Sequence, residues 1–319
     1  MKVRSTRVQR LTRQTLAAFV AGGSVLGGVP GPSGASMAKP ATSPDTSGRD
    51  GVVLQQMGSG RPYEIQHNIC GNLCNEHGLA SANLPTKAAI QQGSGTLLMI
   101  GHQEVCFNLQ AEDMYGWLNT QAGYQAYALQ FHVHTLNSEC GKYGAAVYTY
   151  GAHERSEGKY QAQYPGDEPR GYACILGGSP SPKFWGCTTH LTPWDPKYTR
   201  QQFEEAYGMV ALTALGGTPV LWGGDLYLSP GELEGLGGFS SNTTTEADAC
   251  PTPQYWTNSR GYRKVDHVLG TISVPCTQDA YIDPVFWGDP SIEFCIGASH
   301  EPPCPWYSDH RLVGGYLVP

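Results

Sequence analysis

The chain has 319 residues, and its acidic residues outnumber its basic ones by 27 to 20. Five of the basic residues lie in the first 38 positions, which hold no acidic residue, so the rest has 15 basic against 27 acidic residues, a net charge of −12. An acidic surface argues against the broad cationic footprint that dominates nucleic-acid affinity. It does not exclude a nucleic-acid hydrolase whose site is made cationic locally by a bound metal ion.

The N-terminus has the three parts of a secretory signal. A basic leader, Lys2–Arg13, precedes an uncharged run of small and apolar residues, Thr15–Leu26, and small residues flank a cleavage point at Ser36–Ala38. The apolar run is too short to span a bilayer as a helix. A disordered basic tail is the alternative, but it would not need the uncharged run. We therefore predict a signal peptide, 1–38, and a secreted, extracellular protein.

The sequence after residue 38 predicts a linker and one domain. Residues 39–58 are rich in Pro, Ser, Thr and Gly and poor in large apolar residues, which predicts a flexible linker. From about Tyr63 onward, apolar segments recur with turn residues between them, without an internal repeat or a second shift in composition. This indicates a single domain, 59–319, of a length ordinary for a large α/β fold.

Ten cysteines follow the leader: Cys70, Cys74, Cys106, Cys140, Cys174, Cys187, Cys250, Cys276, Cys295 and Cys304. Because their number is even and the chain is predicted to be exported, disulfides are the favoured interpretation. A zinc site is the alternative, but paired C-x-x-C motifs with ligand spacing do not occur. Cys174 and Cys187 flank a predicted hairpin, Ile175–Gly186, and we predict a cross-strand disulfide between them.

Nine short segments predict strands, because each is bounded by Gly, Pro or polar clusters. They are Tyr63–Ile69, Thr96–Ile100, Tyr127–Val133, Ala145–Tyr150, Tyr172–Leu176, Phe184–Thr189, Pro219–Trp222, Lys264–Leu269 and Leu312–Val318. One helix is predicted clearly: Asp195 can cap it, Pro196 suits its first turn, and apolar residues recur at helical spacing through Leu215. A weaker pattern predicts a helix over Asn108–Asn119, and Leu228–Ser259 predicts a loop. Strands with intervening helices indicate an α/β layered protein.

Polar residues collect at the ends of the predicted strands. They are Asn68, Glu104, His190, Asp225, Asp309 and His310, with Asp266 inside a strand. Ligand sites of open α/β sheets favour strand ends, because the loops there can converge around a crevice. Any one of these residues alone is more often a cap, a turn former or a satisfied core group. The whole set, in this order along the chain, is a more specific indication of a functional site than any one of its members.

The motifs that carry these residues resemble those of the endonuclease/exonuclease/phosphatase superfamily, also called deoxyribonuclease I-like. They are His67-Asn68-Ile69, Gln103-Glu104-Val105, Arg170-Gly171-Tyr172, Thr189-His190-Leu191, Gly224-Asp225-Leu226, Lys264-Val265-Asp266-His267-Val268 and Ser308-Asp309-His310, in the family order. Each is short, but together they cover nearly the whole domain. The resemblance implies an α/β fold, a four-layer sandwich of two packed mixed β-sheets flanked by helices.

The resemblance implies a divalent-metal site. Glu104 would bind Mg²⁺, a hard cation that prefers carboxylate and water oxygens, with Mn²⁺ or Ca²⁺ as alternatives. Asn68 and Asp309 would lie beside the metal and help hold it or its waters, although Asn68 could instead be a turn former. The cation would offset the charge that builds on the phosphate and on the leaving oxygen.

The resemblance also implies groups around the scissile phosphate. Asp225 would orient or deprotonate the attacking water. His310 would hydrogen-bond the phosphate or share in base catalysis, with Asp266 fixing its tautomer. His190 would contact the phosphate from the other side. Arg170 would pair with a phosphate oxygen, a looser match whose alternative is a surface ion pair.

One position departs from the family pattern. The family has Asn two residues after the aspartate of Gly224-Asp225, whereas this chain has Tyr227. Tyr can donate one hydrogen bond through its hydroxyl, but it is bulkier and lacks the amide acceptor. Three interpretations stay open: Tyr227 substitutes with altered geometry, the activity is reduced, or the substrate differs from that of typical nucleases.

The sequence thus predicts a secreted metal-dependent phosphoesterase, by default a phosphodiesterase or endonuclease that hydrolyses DNA or a related phosphodiester by metal-assisted attack of water. The alternatives are a sphingomyelinase-like phospholipid hydrolase or an inositol-phosphate hydrolase, because fold and core chemistry do not fix the substrate, and a weakly active binding protein that retains the fold. The acidic net charge slightly favours small or lipid substrates. We infer no stable protein partner and expect a monomer.

Overall fold

Two six-stranded β-sheets packed face to face form the centre of the molecule. The computed structural model describes residues 62–71, 80–92, 95–122, 126–137, 140–151, 153–178, 183–234, 236, 244–245, 265–271, 280–282, 308, 310 and 312–316. All of them belong to one structural unit, Gly51–Pro319. The signal peptide and the linker lie outside the described residues and stay predictions.

The first sheet contains the strands from the beginning and the end of the domain. They are β1 (Tyr63–Asn68), β2 (Leu97–Cys106), β3 (Tyr127–Asn137), β4 (Gly141–Tyr150), β11 (Ala280–Ile282) and β12 (Val313–Tyr316). Their order across the sheet is β11-β12-β1-β2-β4-β3. β1 and β2 run parallel and the other neighbours run antiparallel, so the sheet is mixed.

The second sheet contains the strands from the middle of the chain. They are β5 (Glu154–Lys159), β6 (Gly171–Gly177), β7 (Phe184–His190), β8 (Val220–Asp225), β9 (Thr244–Thr245) and β10 (Asp266–Gly270). Their order is β5-β6-β7-β8-β10-β9. β7 and β8 run parallel, and β10 runs antiparallel to β8. The ends of β7 and β8 and the start of β10 therefore lie at the same edge.

The helices cover the outer faces of the sheets. They are α1 (Leu84–Gln92), α2 (Glu112–Ala122), α3 (Pro196–Leu215) and α4 (Pro230–Glu234), with a 3₁₀ turn at Ala80–Asn83 and a π-helical turn at Phe107–Ala111. Among the described residues, no helix combines the length and the apolarity needed to cross a membrane.

The three larger apolar clusters of the described residues hold these layers together, because each element buries one apolar face. Met114 and Leu118 of α2 pack on the first sheet against residues such as Ile100. Phe203 of α3 packs on the second sheet, and a third cluster that includes Met99 and Leu221 fills the space between the sheets. The predicted four-layer α/β sandwich is confirmed.

All nine predicted strands are present, although their ends differ. β2 runs to Cys106 rather than Ile100, because buried polar residues continue it without an apolar pattern. Three strands were not predicted: β5, which is polar throughout, and the short β9 and β11. The loop prediction for Leu228–Ser259 was wrong in part, since α4 and β9 lie within it.

The helix predictions are confirmed with small changes. Helix α3 begins at Pro196, and the carboxylate of Asp195 caps it by accepting from the backbone N–H of Lys197 at 2.8 Å. The segment predicted as Asn108–Asn119 is the π-helical turn followed by α2, so it ends three residues later than predicted. Helix α1 was not predicted.

Two disulfides join pairs of described cysteines. Cys174 and Cys187 lie opposite each other on β6 and β7 and are bonded, so the predicted cross-strand disulfide is confirmed. Cys106 and Cys140 form the second bond. Cys70 is also disulfide-bonded, and because the other four described cysteines pair with one another, its partner lies outside the described residues.

Replacing both Cys174 and Cys187 by alanine is expected to lower the free energy of unfolding by about 3 kcal/mol, the usual effect of opening a crosslink over such a loop. The two residues are separated by 13 positions. Urea unfolding at fixed pH measures the change. The matched pair, Cys106→Ala with Cys140→Ala, opens a separation of 34 positions and is expected to cost at least as much. An unchanged midpoint for both double variants would contradict the prediction.

Candidate active site

The predicted site residues meet at one edge of the sandwich. Asn68 ends β1, Glu104 lies near the end of β2, His190 ends β7, Asp225 ends β8, Asp266 begins β10 and His310 precedes β12. Residues paired in register include His190 with Asp225 and Asp225 with Asp266. The strand ends therefore bring together side chains that are far apart in sequence. Asp309 lies outside the described residues.

Glu104 reaches the site through an irregularity in β2. The register between β2 and β4 shifts between His102 and Val105, and Glu104 has a φ of 58°, in the left-handed region. A non-glycine residue in that region costs free energy, and such residues are frequent at functional sites. The local break is associated with a carboxylate that is partly exposed, whereas its neighbours in β2 are buried.

Asn68 links the two sheets at this edge. Its amide nitrogen donates to Glu104 Oε1 at 3.0 Å and to Asp225 Oδ2 at 3.1 Å, while its oxygen accepts from the backbone N–H of Cys70 at 3.0 Å. The bond to Cys70 fixes which end of the amide faces the carboxylates. Asn68 therefore forms a turn and also holds two carboxylates side by side through its nitrogen.

Asp266, His310 and Asp225 form a line of polar contacts. His310 Nδ1 lies 2.8 Å from Asp266 Oδ2, and His310 Nε2 lies 3.5 Å from Asp225 Oδ2. Three ligand atoms of this group lie within 4.8 Å of one another, a spacing that would also suit a metal ion. A metal bound to His310 Nδ1 would have to displace the hydrogen bond to Asp266. With Nδ1 occupied by Asp266, Nε2 is the nitrogen of His310 that faces Asp225.

The backbone around His310 is anchored to β1. Ser308 Oγ accepts from the backbone N–H of His310 at 2.9 Å and donates to the carbonyl oxygen of Asn68 at 2.5 Å. All three residues are buried. The segment that carries His310 is thus held against the strand that carries Asn68.

Asp225 lies at the centre of the group and is completely buried. Burial raises the pKa of its carboxyl well above the ordinary value. The nearby His310 and the hydrogen bond from Asn68 act in the opposite direction, and the carboxylates of Asp266 and Glu104 raise the pKa further. A positive charge in this site would therefore favour the ionised form of Asp225.

His190 approaches the same carboxylate oxygen of Asp225 that His310 faces. Its Nε2 lies 3.7 Å from Asp225 Oδ2 and 3.9 Å from Glu104 Oε1, and it has no hydrogen-bond partner among the described residues. Burial lowers the pKa of His190 well below its usual value, and the charge of Arg170 lowers it further. The ring thus has a buried polar atom aimed into the site.

Arg170 is turned into the protein. We expected it to contact a phosphate or to form a surface ion pair, but only 6% of it is exposed. Its Nε and Nη2 donate to the carboxylate of Asp167, both at 3.1 Å, and its Nη1 donates to His190 Nδ1 at 2.8 Å. The ion pair is therefore buried rather than superficial, and Arg170 reaches the site through His190.

Tyr227 stacks on the His190 ring. The ring centroids are 5.9 Å apart and the planes differ by 15°. Its backbone N–H donates to Asp225 Oδ1 at 3.3 Å, and its φ is 53°. Asn tolerates this left-handed conformation better than Tyr does. The position thus suits the family Asn, and the tyrosine is placed there at a conformational cost.

Two residues near the site were not predicted. The Tyr143 side chain is buried beside Glu104, and burial followed by this carboxylate raises the pKa of its hydroxyl well above the ordinary value. Asp167 holds Arg170. Neither position has a distinctive sequence signal: Tyr143 lies in an apolar strand, and Asp167 precedes Arg170 by three residues, a spacing common in surface ion pairs.

No family model and no curated protein matches the chain. Solved structures do match, and the following three are similar to it. Truncated TDP2 of Caenorhabditis elegans is 14% identical with a TM-score of 0.54, over 80% of this chain and 97% of that one. An endonuclease/exonuclease/phosphatase family protein from Bacteroides thetaiotaomicron is 11% identical with a TM-score of 0.53, over 80% and 97%.

The third is D. rerio TDP2 complexed with a single-strand DNA product, which is 14% identical with a TM-score of 0.51, over 80% of this chain and 98% of that one. At such identities the likeness shows the fold alone. It agrees with the two packed mixed sheets. The chain has the endonuclease/exonuclease/phosphatase fold, as its motifs predicted.

Proposed function

We propose that the chain is an exported, divalent-metal-dependent phosphoesterase whose default substrate is a phosphodiester such as DNA. The observation that carries this proposal is the continuous line of polar contacts from Glu104 through Asn68, Asp225 and His310 to Asp266. Buried charged groups are costly, so a purely structural core has no need of such a line. The single-strand DNA product in the similar D. rerio TDP2 supports the substrate class.

A hard divalent cation fits the donor set of this site. Glu104 Oε1 and Asp225 Oδ2 both accept from the same amide nitrogen of Asn68, so two carboxylates converge on a small volume. Keeping two like charges together in a buried site is unfavourable without a compensating cation. Carboxylate oxygens are the ligands that Mg²⁺ prefers, and Mn²⁺ and Ca²⁺ accept them too.

Of the two converging carboxylates we assign the metal contact to Glu104, with Asp309 as the further acidic candidate, and we assign Asp225 to the attacking water. Asn68 orients Glu104 and Asp225 through its nitrogen. When bound, the cation would offset the negative charge that develops on the phosphate and on the leaving oxygen. The protein would supply carboxylates that Asn68 holds at fixed positions.

The remaining groups handle the attacking water and the phosphate. Asp225 would orient the water and accept its proton, because Nε2 of His190 and Nε2 of His310 both approach its Oδ2, at 3.7 Å and 3.5 Å. His310, bonded to Asp266 through Nδ1, would exchange a proton through Nε2. His190 would donate to a phosphate oxygen from the opposite side.

A substrate panel with metals and chelator tests the proposed function. Plasmid DNA, RNA, sphingomyelin and inositol phosphates are incubated with the disulfide-intact protein and with Mg²⁺, Mn²⁺ or Ca²⁺. We expect hydrolysis of a phosphodiester that chelator abolishes and added metal restores. Turnover of nothing in the panel, or turnover that survives chelation, would favour the binding-protein alternative or a different chemistry.

Glu104→Gln is expected to raise the metal concentration needed for half-maximal rate, by about tenfold or more, because it removes a ligand charge and keeps the side-chain shape. A metal titration of the initial rate measures this effect. Glu112→Gln is the matched control, since Glu112 is exposed on the first turn of α2. Equal metal requirements for the two variants would remove Glu104 from the metal site.

Tyr227→Asn is expected to raise the rate on a simple phosphodiester. Asn restores the amide donor and acceptor and suits the φ of 53°. Relief of backbone strain and loss of the ring stack on His190 oppose each other, so the free energy of unfolding should change by no more than about 1 kcal/mol. Tyr227→Phe separates the role of the hydroxyl, because it keeps the ring. A rate that falls in Tyr227→Asn and also in Tyr227→Phe would mean that the tyrosine hydroxyl has taken over the donor role.

A further inference from the structure

The two ring nitrogens of His190 have opposite environments. Arg170 Nη1 lies 2.8 Å from His190 Nδ1. A guanidinium has N–H donors and no acceptor, so Nδ1 must be the acceptor in this bond. The ring proton of His190 is therefore on Nε2, the atom that faces Asp225 and Glu104.

The guanidinium is itself held in one orientation. Asp167 receives two parallel hydrogen bonds from Arg170, from Nε and Nη2, and such a fork fixes both distance and plane. The Asp167 carboxylate also accepts from Thr192 Oγ1 at 2.6 Å and from the backbone N–H of Glu168 at 2.8 Å. With the Asp167 carboxylate bound from three sides, Arg170 Nη1 has little freedom to leave His190.

The ring plane of His190 is set by other contacts. Tyr227 stacks on it with the planes 15° apart, and the ring of His134 lies 5.9 Å away at a tilt of 44°. The hydrogen bond to Arg170 thus fixes the tautomer and the direction in which the opposite N–H points, and the ring contacts limit the tilt of the ring plane.

We propose that Asp167 and Arg170 are positioning residues that hold the proton of His190 on Nε2 and direct it into the site, so that His190 acts only as a hydrogen-bond donor to the bound phosphate. This inference rests on the proposed phosphoesterase function. The side chains of Asp167 and Arg170 act through His190 and need not touch the substrate.

The same arrangement gives the two histidines different tasks. His310 Nδ1 faces the carboxylate of Asp266, so its Nε2 is left to take up and release a proton. His190 Nδ1 faces a cation instead, so His190 cannot take a second proton there without losing the bond to Arg170. One histidine exchanges protons while the other keeps a fixed N–H in place for charge that develops on the phosphate.

The tautomer is tested by ¹⁵N NMR of the metal-free, disulfide-intact protein labelled at histidine. The resonances of His190 are assigned by comparison with His190→Gln. We expect an unprotonated Nδ1 and a protonated Nε2 at neutral pH. Arg170→Met should shift the ring towards the other tautomer, and Arg170→Lys should preserve the native one by keeping a donor. A native ring that is protonated on Nδ1 would overturn the inference.

Arg170→Met leaves the Asp167 carboxylate buried without its partner, which threatens folding. The double variant Asp167→Asn with Arg170→Met removes that charge and keeps the tautomer test possible. We expect the double variant to show the same change in the His190 resonances as the single variant. Native resonances in a folded double variant would overturn the role of Arg170.

The rate provides the second readout. Arg170→Met is expected to lower kcat by about 100-fold, which is the usual effect of losing one oriented hydrogen-bond donor. KM and the metal requirement should change little. Arg170→Lys should recover most of the rate. Arg155→Met, on the exposed edge strand β5, is the matched control. A changed tautomer with an unchanged kcat would overturn the positioning role. A protein that hydrolyses nothing would refute the proposed function instead, and the NMR experiment still decides the tautomer.

Discussion

Asp225→Asn is expected to lower the rate of phosphoester hydrolysis by about two to four powers of ten, because it removes the group proposed to orient and deprotonate the water. The same substitution should leave the free energy of unfolding unchanged or higher. Asp225 is buried, and burial disfavours its charged form, so a neutral amide of the same shape relieves a cost. A variant that is stable but inactive is the expected combination.

Initial rates and urea unfolding on one preparation check both halves of this expectation. Asp195→Asn is the matched control, since Asn caps a helix about as well as Asp and Asp195 lies at the start of α3. It should change neither quantity. Retention of the native rate by Asp225→Asn would remove Asp225 from the chemistry, and the assignment of the centre of the site would fail with it.

His310→Ala is expected to lower the rate by a similar factor, about two to four powers of ten. Asp266→Asn should also lower it, because an amide can donate to His310 Nδ1 and so favour the wrong tautomer. The measurement is kcat at saturating substrate and metal.

Ser308→Ala separates chemistry from local structure. It removes the anchor of the His310 backbone but keeps the imidazole, so we expect a loss of no more than about tenfold, or 1.4 kcal/mol in activation free energy. A loss as large as that of His310→Ala would mean that displacement of the segment explains both variants.

The strands could be predicted because turn residues and apolar runs mark them locally. β5 could not, since it lies at the edge of its sheet, pairs only with β6 and has a polar sequence. Helix α1 was missed because it has only nine residues, a weak apolar pattern and no acidic residue in its first turn. The sandwich itself followed from the order of the motifs rather than from the pattern of elements.

Only those site residues that lie in recognisable motifs could be predicted from the sequence. Asn68, Glu104, Asp225 and His310 stand at strand ends, where the family pattern places them. The role of Arg170 depends on Asp167 and on the packing of a loop against β7, which no local pattern specifies. Which end of the Asn68 amide faces the two carboxylates likewise depends on the turn in which its oxygen accepts from the backbone N–H of Cys70.

The line of polar contacts crosses from one sheet to the other. The geometry of the proposed active site therefore depends on how closely the two sheets are packed. Asn68 and Glu104 come from the first sheet and Asp225 from the second, so neither sheet alone carries a working set of groups. The spacing between them depends on the apolar layer that includes Met99 and Leu221. Because loosening that layer separates the carboxylates before either sheet unravels, we expect gentle heating to abolish the proposed activity at a lower temperature than it melts the secondary structure.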